Sequence, residues 1–178
     1  MTEIVGTFNS ILGTGGVVML AAAAYLYFDL AVLKSAEVRA AVERFGLLLA
    51  ATLTVGAMTM ALVYSEIFGF VPCGLCWSMR IFVFSQAFIM TTALLRKDTR
   101  VAIYGIVLSV PGIILGLYQH YLQMGGGEFV PCPAAAGDCA KRILFEYGFM
   151  TFPLMGASML LLLVAIYIYL LKRQIRNN

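Results

Sequence analysis

Residues 70–80 read FVPCGLCWSMR. Two cysteines with two residues between them, Cys73 and Cys76, form either an exchanging dithiol or half of a metal site. Arg80 follows Cys76 by four positions, so on a helix it faces the same side one turn further along. A guanidinium there favours a thiolate and can stabilise an anionic acceptor; an arginine at a membrane edge can also simply snorkel to the interface. A second pair, Cys132 and Cys139, is spaced unlike a zinc knuckle. Three chemistries therefore stand side by side: thiol–disulfide exchange, two static disulfides, and a thiolate metal site. The C-x-x-C favours exchange if it opens a helix, because unpaired N–H groups and the helix dipole stabilise a thiolate there.

The elements that position these residues are dictated by composition. Of 178 residues, 62% are hydrophobic and 12% charged, and the mean hydropathy is +0.93. A soluble domain carries about a quarter of its residues as charges and could not bury this much apolar surface. Five apolar segments are long enough to cross a bilayer as helices, at about 11–33, 45–68, 73–95, 101–121 and 148–171. Strand-like alternation is absent. Pro111 and Pro153 fall inside two segments and read as kinks. The first segment carries Glu3 and no basic residue ahead of its apolar run, so it reads as a retained helix, not a signal peptide. The expected fold class is an all-α integral membrane protein.

Charge sets the orientation. Lys34, Arg39, Arg44, Arg96, Lys97, Arg100, Lys172, Arg173 and Arg176 fall on one side of such an arrangement, and only Arg80, Lys141 and Arg142 on the other. The basic side is normally cytoplasmic. The N-terminus is then outside, the C-terminus inside, and all four cysteines face the compartment where disulfides persist. The net charge of +3 reports topology and argues for no nucleic-acid partner.

Other residues carry weaker signals. Trp77 suits stacking on a planar ligand or anchoring at the interface. His120, the one histidine, suits proton transfer or an ordinary hydrogen bond. Glu66 reads as an interfacial carboxylate. Glycines 125–127 read either as freedom for the loop that follows or as a turn.

The stretch PCGLCWSMR before an apolar helix, GLYQHYLQ (116–123), and AGDCAKR (136–142) ahead of FEYGFMTFPL resemble, in that order, the DsbB family of disulfide bond formation proteins. The resemblance covers about 45–171. That family has four membrane helices, so the segment at 11–33 looks like an addition: residues 1–44 as an extra helix with a cytoplasmic loop, and 45–178 as the four-helix bundle with redox loops at 69–76 and 122–147. The short second loop is most similar to members of the BdbC type. The related vitamin K epoxide reductases place the loop pair before the C-x-x-C; here the C-x-x-C comes first.

The resemblance implies a chemistry. The family reoxidises a soluble thioredoxin-fold oxidase of the DsbA type and passes two electrons to a membrane quinone, ubiquinone or menaquinone. Cys132 would form the mixed disulfide with the partner, and Cys139 would attack the Cys73–Cys76 disulfide at Cys73. Cys76 would stand beside the quinone, with Arg80 contacting it and His120 and Trp77 close by. No metal is implied. The location would be the cytoplasmic (inner) membrane. The competing reading is a non-catalytic membrane scaffold stapled by two disulfides.

Overall fold

The computed structural model describes residues 2–129, 132 and 138–177; Ala136 and Gly137 of the AGDCAKR stretch lie outside the described residues. Helix α1 (Thr2–Phe28) runs on through one π-helical turn, Asp29–Leu33, and α2 (Ala36–Leu62) through another, Val63–Ile67. Then follow α3 (Gly74–Arg96), α4 (Ala102–Gln123) and α5 (Phe152–Asn177). All five are long and apolar enough to cross a membrane. The chain is an all-α integral membrane protein: a helical bundle with one helix more, at its N-terminus, than the four-helix core that the sequence resembles.

Helix bounds differ from the apolar segments for local reasons. Helices α1 and α2 start at Thr2 and Ala36, ahead of the apolar runs. Their first turns hold polar residues such as Glu3, Glu37 and Arg39, which hydropathy discards but which a helix emerging from the bilayer accepts. Helix α5 starts at Phe152, not 148, because a short antiparallel hairpin intervenes: β1 (Phe145–Glu146) pairs with β2 (Met150–Thr151). Its turn puts Tyr147 at φ 56° and Gly148 at φ 75°, the left-handed region that glycine enters freely. Pro153 consequently lies in the first turn of α5, where no N–H is needed, and is not a kink. Pro111 is inside α4.

Helix α5 is the centre of the bundle. Leu160, Leu163, Ile166 and Leu170 on it are fully buried, against α4 on one side and α1 on another. Helix α2 packs on α3 and α5, whereas α1 scarcely touches α2. Close approach of α4 requires small residues: a Cβ at Gly105 would meet the Tyr167 ring at 2.5 Å. Phe88, Leu95 and Ile114 point outward, as lipid-facing residues do.

Most polar groups inside the bundle are paired; Gln86 Nε2 is buried without a hydrogen-bond partner among the described residues. Asp29, almost fully buried, accepts from Ser35 Oγ at 2.6 Å and from Tyr169 Oη at 2.5 Å, so a costly intramembrane carboxyl joins α1 to α5. Tyr167 donates to Gln86 Oε1 at 3.0 Å. The two ends of the bundle are tied separately. At one, Arg176 meets Glu43 at 2.6 Å and Gln174 donates to Thr99 at 2.8 Å, which gathers the basic segments. At the other, Asn9 Nδ2 donates to the Ile143 carbonyl at 3.0 Å and its Oδ1 accepts from Tyr64 at 2.6 Å. Helix α1 therefore braces the loop that carries the second cysteine pair.

Candidate functional site

Cys73 is the N-cap of α3. With φ −73° and ψ 172° it is still extended, and its sulfur accepts the Cys76 N–H at 3.4 Å. Pro72 before it cannot extend the helix backward, because it disfavours a helical predecessor. Cys76 lies in the first turn, among N–H groups that have no helical acceptor. The two sulfurs are 2.9 Å apart and both are free thiols. Cys132 and Cys139 form a disulfide, with Cα atoms 6.2 Å apart.

The two pairs meet at Cys73. The sulfurs of Cys73, Cys132 and Cys139 all lie within 4.8 Å of one another. Such a cluster also has the spacing of a thiolate metal site, but two of its sulfurs are bonded to each other. Cys73 and Cys139 are 4% and 2% exposed, wrapped by Leu75 and Leu122. The hydrogen bond with Cys76, and after it burial, push the Cys73 thiol far above the ordinary cysteine range.

The second loop is fastened to the end of α4. Gln123 Nε2 donates to the Lys141 carbonyl at 3.0 Å, and Arg142 Nε donates to the Gln123 carbonyl at 2.5 Å. Gly125 ends α4 at φ 93°, and a Cβ at Gly126 would collide with the Tyr121 ring. Turn geometry and close packing thus account for these two glycines.

A cavity of about 810 Å³ opens beside the dithiol, lined by residues of all five helices and of the second loop. Cys76, Met79, Arg80 and Val83 supply the α3 wall, the i, i+3, i+4, i+7 positions of one helix face. Arg80 reaches α2, donating to the Ala61 carbonyl at 2.8 Å.

Trp77 does not line this cavity. One residue past Cys76, it is turned about 100° around the helix, stands 54% exposed on the outside, and has the Arg80 guanidinium 5.3 Å from its ring centre. His120 does not line it either; its Nδ1 pairs with Thr151 Oγ1 at 2.9 Å. Neither side chain reaches the cavity that opens beside the dithiol. The residue before His120 does. Gln119, 2% exposed, donates its amide to Cys73 Sγ at 3.2 Å and to Cys76 Sγ at 3.1 Å. Gln123, one turn on, lines the same cavity, and its Oε1 is buried without a hydrogen-bond partner among the described residues. Two glutamines four apart on a largely apolar helix are the signal in the sequence that marks this wall.

This arrangement suits electron transfer by sulfur exchange followed by delivery into an apolar chamber. Comparison with known proteins agrees with disulfide chemistry. The family model described as "Disulfide bond formation protein DsbB" matches residues 43–171, leaving α1 outside. The SPbeta prophage-derived disulfide bond formation protein B of Bacillus subtilis (strain 168) is 36% identical over 123 residues, which cover 67% of this chain and 83% of that protein. Disulfide bond formation protein C of the same organism is 33% identical over 119 residues, 65% and 84% of the two chains. The probable disulfide formation protein C 2 of Bacillus anthracis is 27% identical over 134 residues, 75% and 96% of the two. No solved structure matches.

Proposed function

Since the chain belongs to the DsbB family and is a membrane disulfide oxidoreductase, we propose that it reoxidises a soluble DsbA-like thioredoxin-fold protein and passes the electrons to a membrane quinone. The observation that carries this reading is the meeting of Cys73 with both loop sulfurs, within 4.8 Å, at the mouth of the cavity that holds Cys76 and Arg80.

The relay follows from bond exchange. A partner thiolate attacks Cys132 and releases the Cys139 thiolate. Cys139 attacks Cys73 of an oxidised Cys73–Cys76 pair, and Cys76 leaves as thiolate. The partner's second thiol closes its own disulfide and frees Cys132, which attacks Cys139 and releases Cys73. The loop disulfide is restored and the C-x-x-C is left as a dithiol, the pairing described above. Two electrons and two protons then leave Cys73 and Cys76, whose disulfide re-forms.

The residues present fit a quinone. Apolar walls suit its ring and chain, Arg80 and the Gln119 amide offer donors beside Cys76, and Gln123 Oε1, without a partner among the described residues, offers an acceptor for an O–H. Bound there, a quinone supplies the two-electron sink. Arg80 holds negative charge at the reacting end, Gln119 orients both sulfurs, and the packed Leu75 and Leu122 keep water from Cys73.

We further place the cysteine end outside the cytoplasmic membrane and the C-terminus inside, because the basic residues cluster at the opposite end of the bundle. The assignment of 1–44 as an added helix and loop, and 45–178 as the four-helix unit, belongs to the same reading. A scaffold stapled by two disulfides is less well supported, since Cys73 lies within 4.8 Å of both loop sulfurs, where exchange between the pairs can occur. The test is purification in mild detergent, identification of the co-purifying quinone, and reoxidation of a reduced thioredoxin-fold partner with that quinone added back. No partner turnover with any quinone would overturn the reading.

A further inference from the structure

The cavity continues beyond the dithiol, and α1, which lies outside the family-matched segment, builds part of its far wall. Helix α1 contributes Ile11, Gly15 and Met19, and α2 contributes Thr52, Gly56 and Met60. Because α1 leans on α5 and scarcely touches α2, a seam is left between α1 and α2. Gly15 and Gly56 both border open space: a Cβ on either meets nothing within 4 Å. Neighbouring glycines of α1 are closed, since a Cβ on Gly13 would meet Glu146 at 2.8 Å and one on Gly16 would meet Met150 at 2.9 Å. Ile11, Thr52 and Gly56 are exposed, so the seam opens sideways onto the hydrocarbon of the bilayer. The other end of the chamber is polar: Cys76, Arg80, Gln119 and Gln123 Oε1, buried without a hydrogen-bond partner among the described residues.

A chamber with polar groups at one end and an apolar side opening fits an amphiphile with a long hydrocarbon chain. A ring without a chain would leave the seam unfilled. We propose that the seam between α1 and α2, floored by Gly15 and Gly56, binds the polyprenyl chain of the electron acceptor, and that α1 is a specificity element for chain-bearing acceptors. The proposal rests on the quinone reading above.

The test uses the full chain in detergent, with Gly15→Leu, Gly56→Leu and the double variant. Gly6→Leu is the control, because Gly6 also has open space around it but does not line the cavity. Leucine is a better helix former than glycine, so the helices persist. Equilibrium binding and KM are measured with a long-chain polyprenyl quinone and with the same ring lacking its chain. The endogenous quinone retained through purification is quantified by solvent extraction. The expected result is a rise of about tenfold in Kd and KM for the long-chain quinone in the seam variants, the loss of a few buried methylenes. The same variants should retain less endogenous quinone, bind the chainless ring as the wild type does, and differ from an unaltered Gly6→Leu. Unchanged long-chain binding in both seam variants overturns the proposal, and so does equal weakening of both quinones, which would put the lesion at the ring. A wild-type protein that binds neither quinone overturns the acceptor assignment itself and the seam with it.

Discussion

The side-chain amide nitrogen of Gln119 lies 3.1 Å from the Cys76 sulfur. A second contact, 3.2 Å to Cys73, makes this one amide the shared donor of the dithiol. A hydrogen bond to a charged group contributes about 1.5–3 kcal/mol. Gln119→Leu, close in volume, should therefore slow closure of the Cys73–Cys76 disulfide on mixing reduced protein with quinone by roughly tenfold or more. Gln119→Glu should be slower still, because a carboxylate beside a forming thiolate repels it. Stopped-flow absorbance of the quinone reads both, and rates equal to wild type would remove Gln119 from the relay.

Arg80 joins three things: the cavity wall, the Ala61 carbonyl and the Trp77 ring. Arg80→Ala should raise the KM for quinone by an amount equivalent to about 1–3 kcal/mol, while exchange between the partner and the loop disulfide continues. Arg80→Lys should restore only part, since a point ammonium cannot hold the carbonyl and the ring face at once. Quinone concentration curves that overlay the wild type for Arg80→Ala would leave Arg80 as a snorkelling anchor.

Cys132→Ser should abolish oxidation of the thioredoxin-fold partner yet leave the C-x-x-C able to reduce quinone in a single turnover. Normal partner turnover by this variant would reverse the assigned order of the two pairs.

Cys73 gives a pH signature. Its thiol is held above the ordinary range by the hydrogen bond with Cys76 first and by burial second. The thiolate is the reactive form, so raising the pH through the usual thiol pKa of about 8.5 should leave Cys73 of the reduced protein largely unalkylated. In Cys76→Ala the first cause is gone. The rise of the Cys73 alkylation rate with pH should then shift to lower pH, toward ordinary cysteine behaviour. Mass-spectrometric alkylation profiles decide it, and identical midpoints in both proteins would show that the sulfur–sulfur contact has no influence.

Orientation is tested with single cysteines in a chain whose four native cysteines are serine. An impermeant maleimide added to intact cells should label Glu3→Cys and spare Ala36→Cys. The reverse pattern would turn the molecule over.

The sequence made the bundle, the reactive pair and the α3 face legible because those signals are periodic and strong. Apolar runs of bilayer length announce helices, and the i, i+4 spacing of Cys76 and Arg80 puts both on the cavity wall. Gln119 and Gln123 were harder to see, since a neutral amide carries no charge or motif of its own and matters here through what faces it. His120 drew attention by rarity, yet a step of one residue along α4 turns it toward Thr151 instead. The hairpin before α5 overlaps the start of an apolar run, and only the left-handed turn at Tyr147 and Gly148, between its two strands, marks it. The contribution of α1 to the chamber was not readable at all. It depends on which helices pack together, a property of the assembled bundle that no local spacing encodes.

Trp77 is the chain's one tryptophan, and it looks outward from the position next to Cys76. The molecule therefore carries its own depth gauge. In bilayers made with lipids brominated at successive carbons of the acyl chain, the carbon that quenches the indole emission most marks the height of that turn of α3. The height of the dithiol above the bilayer centre follows to within one helical residue, without attaching any label to the sulfurs.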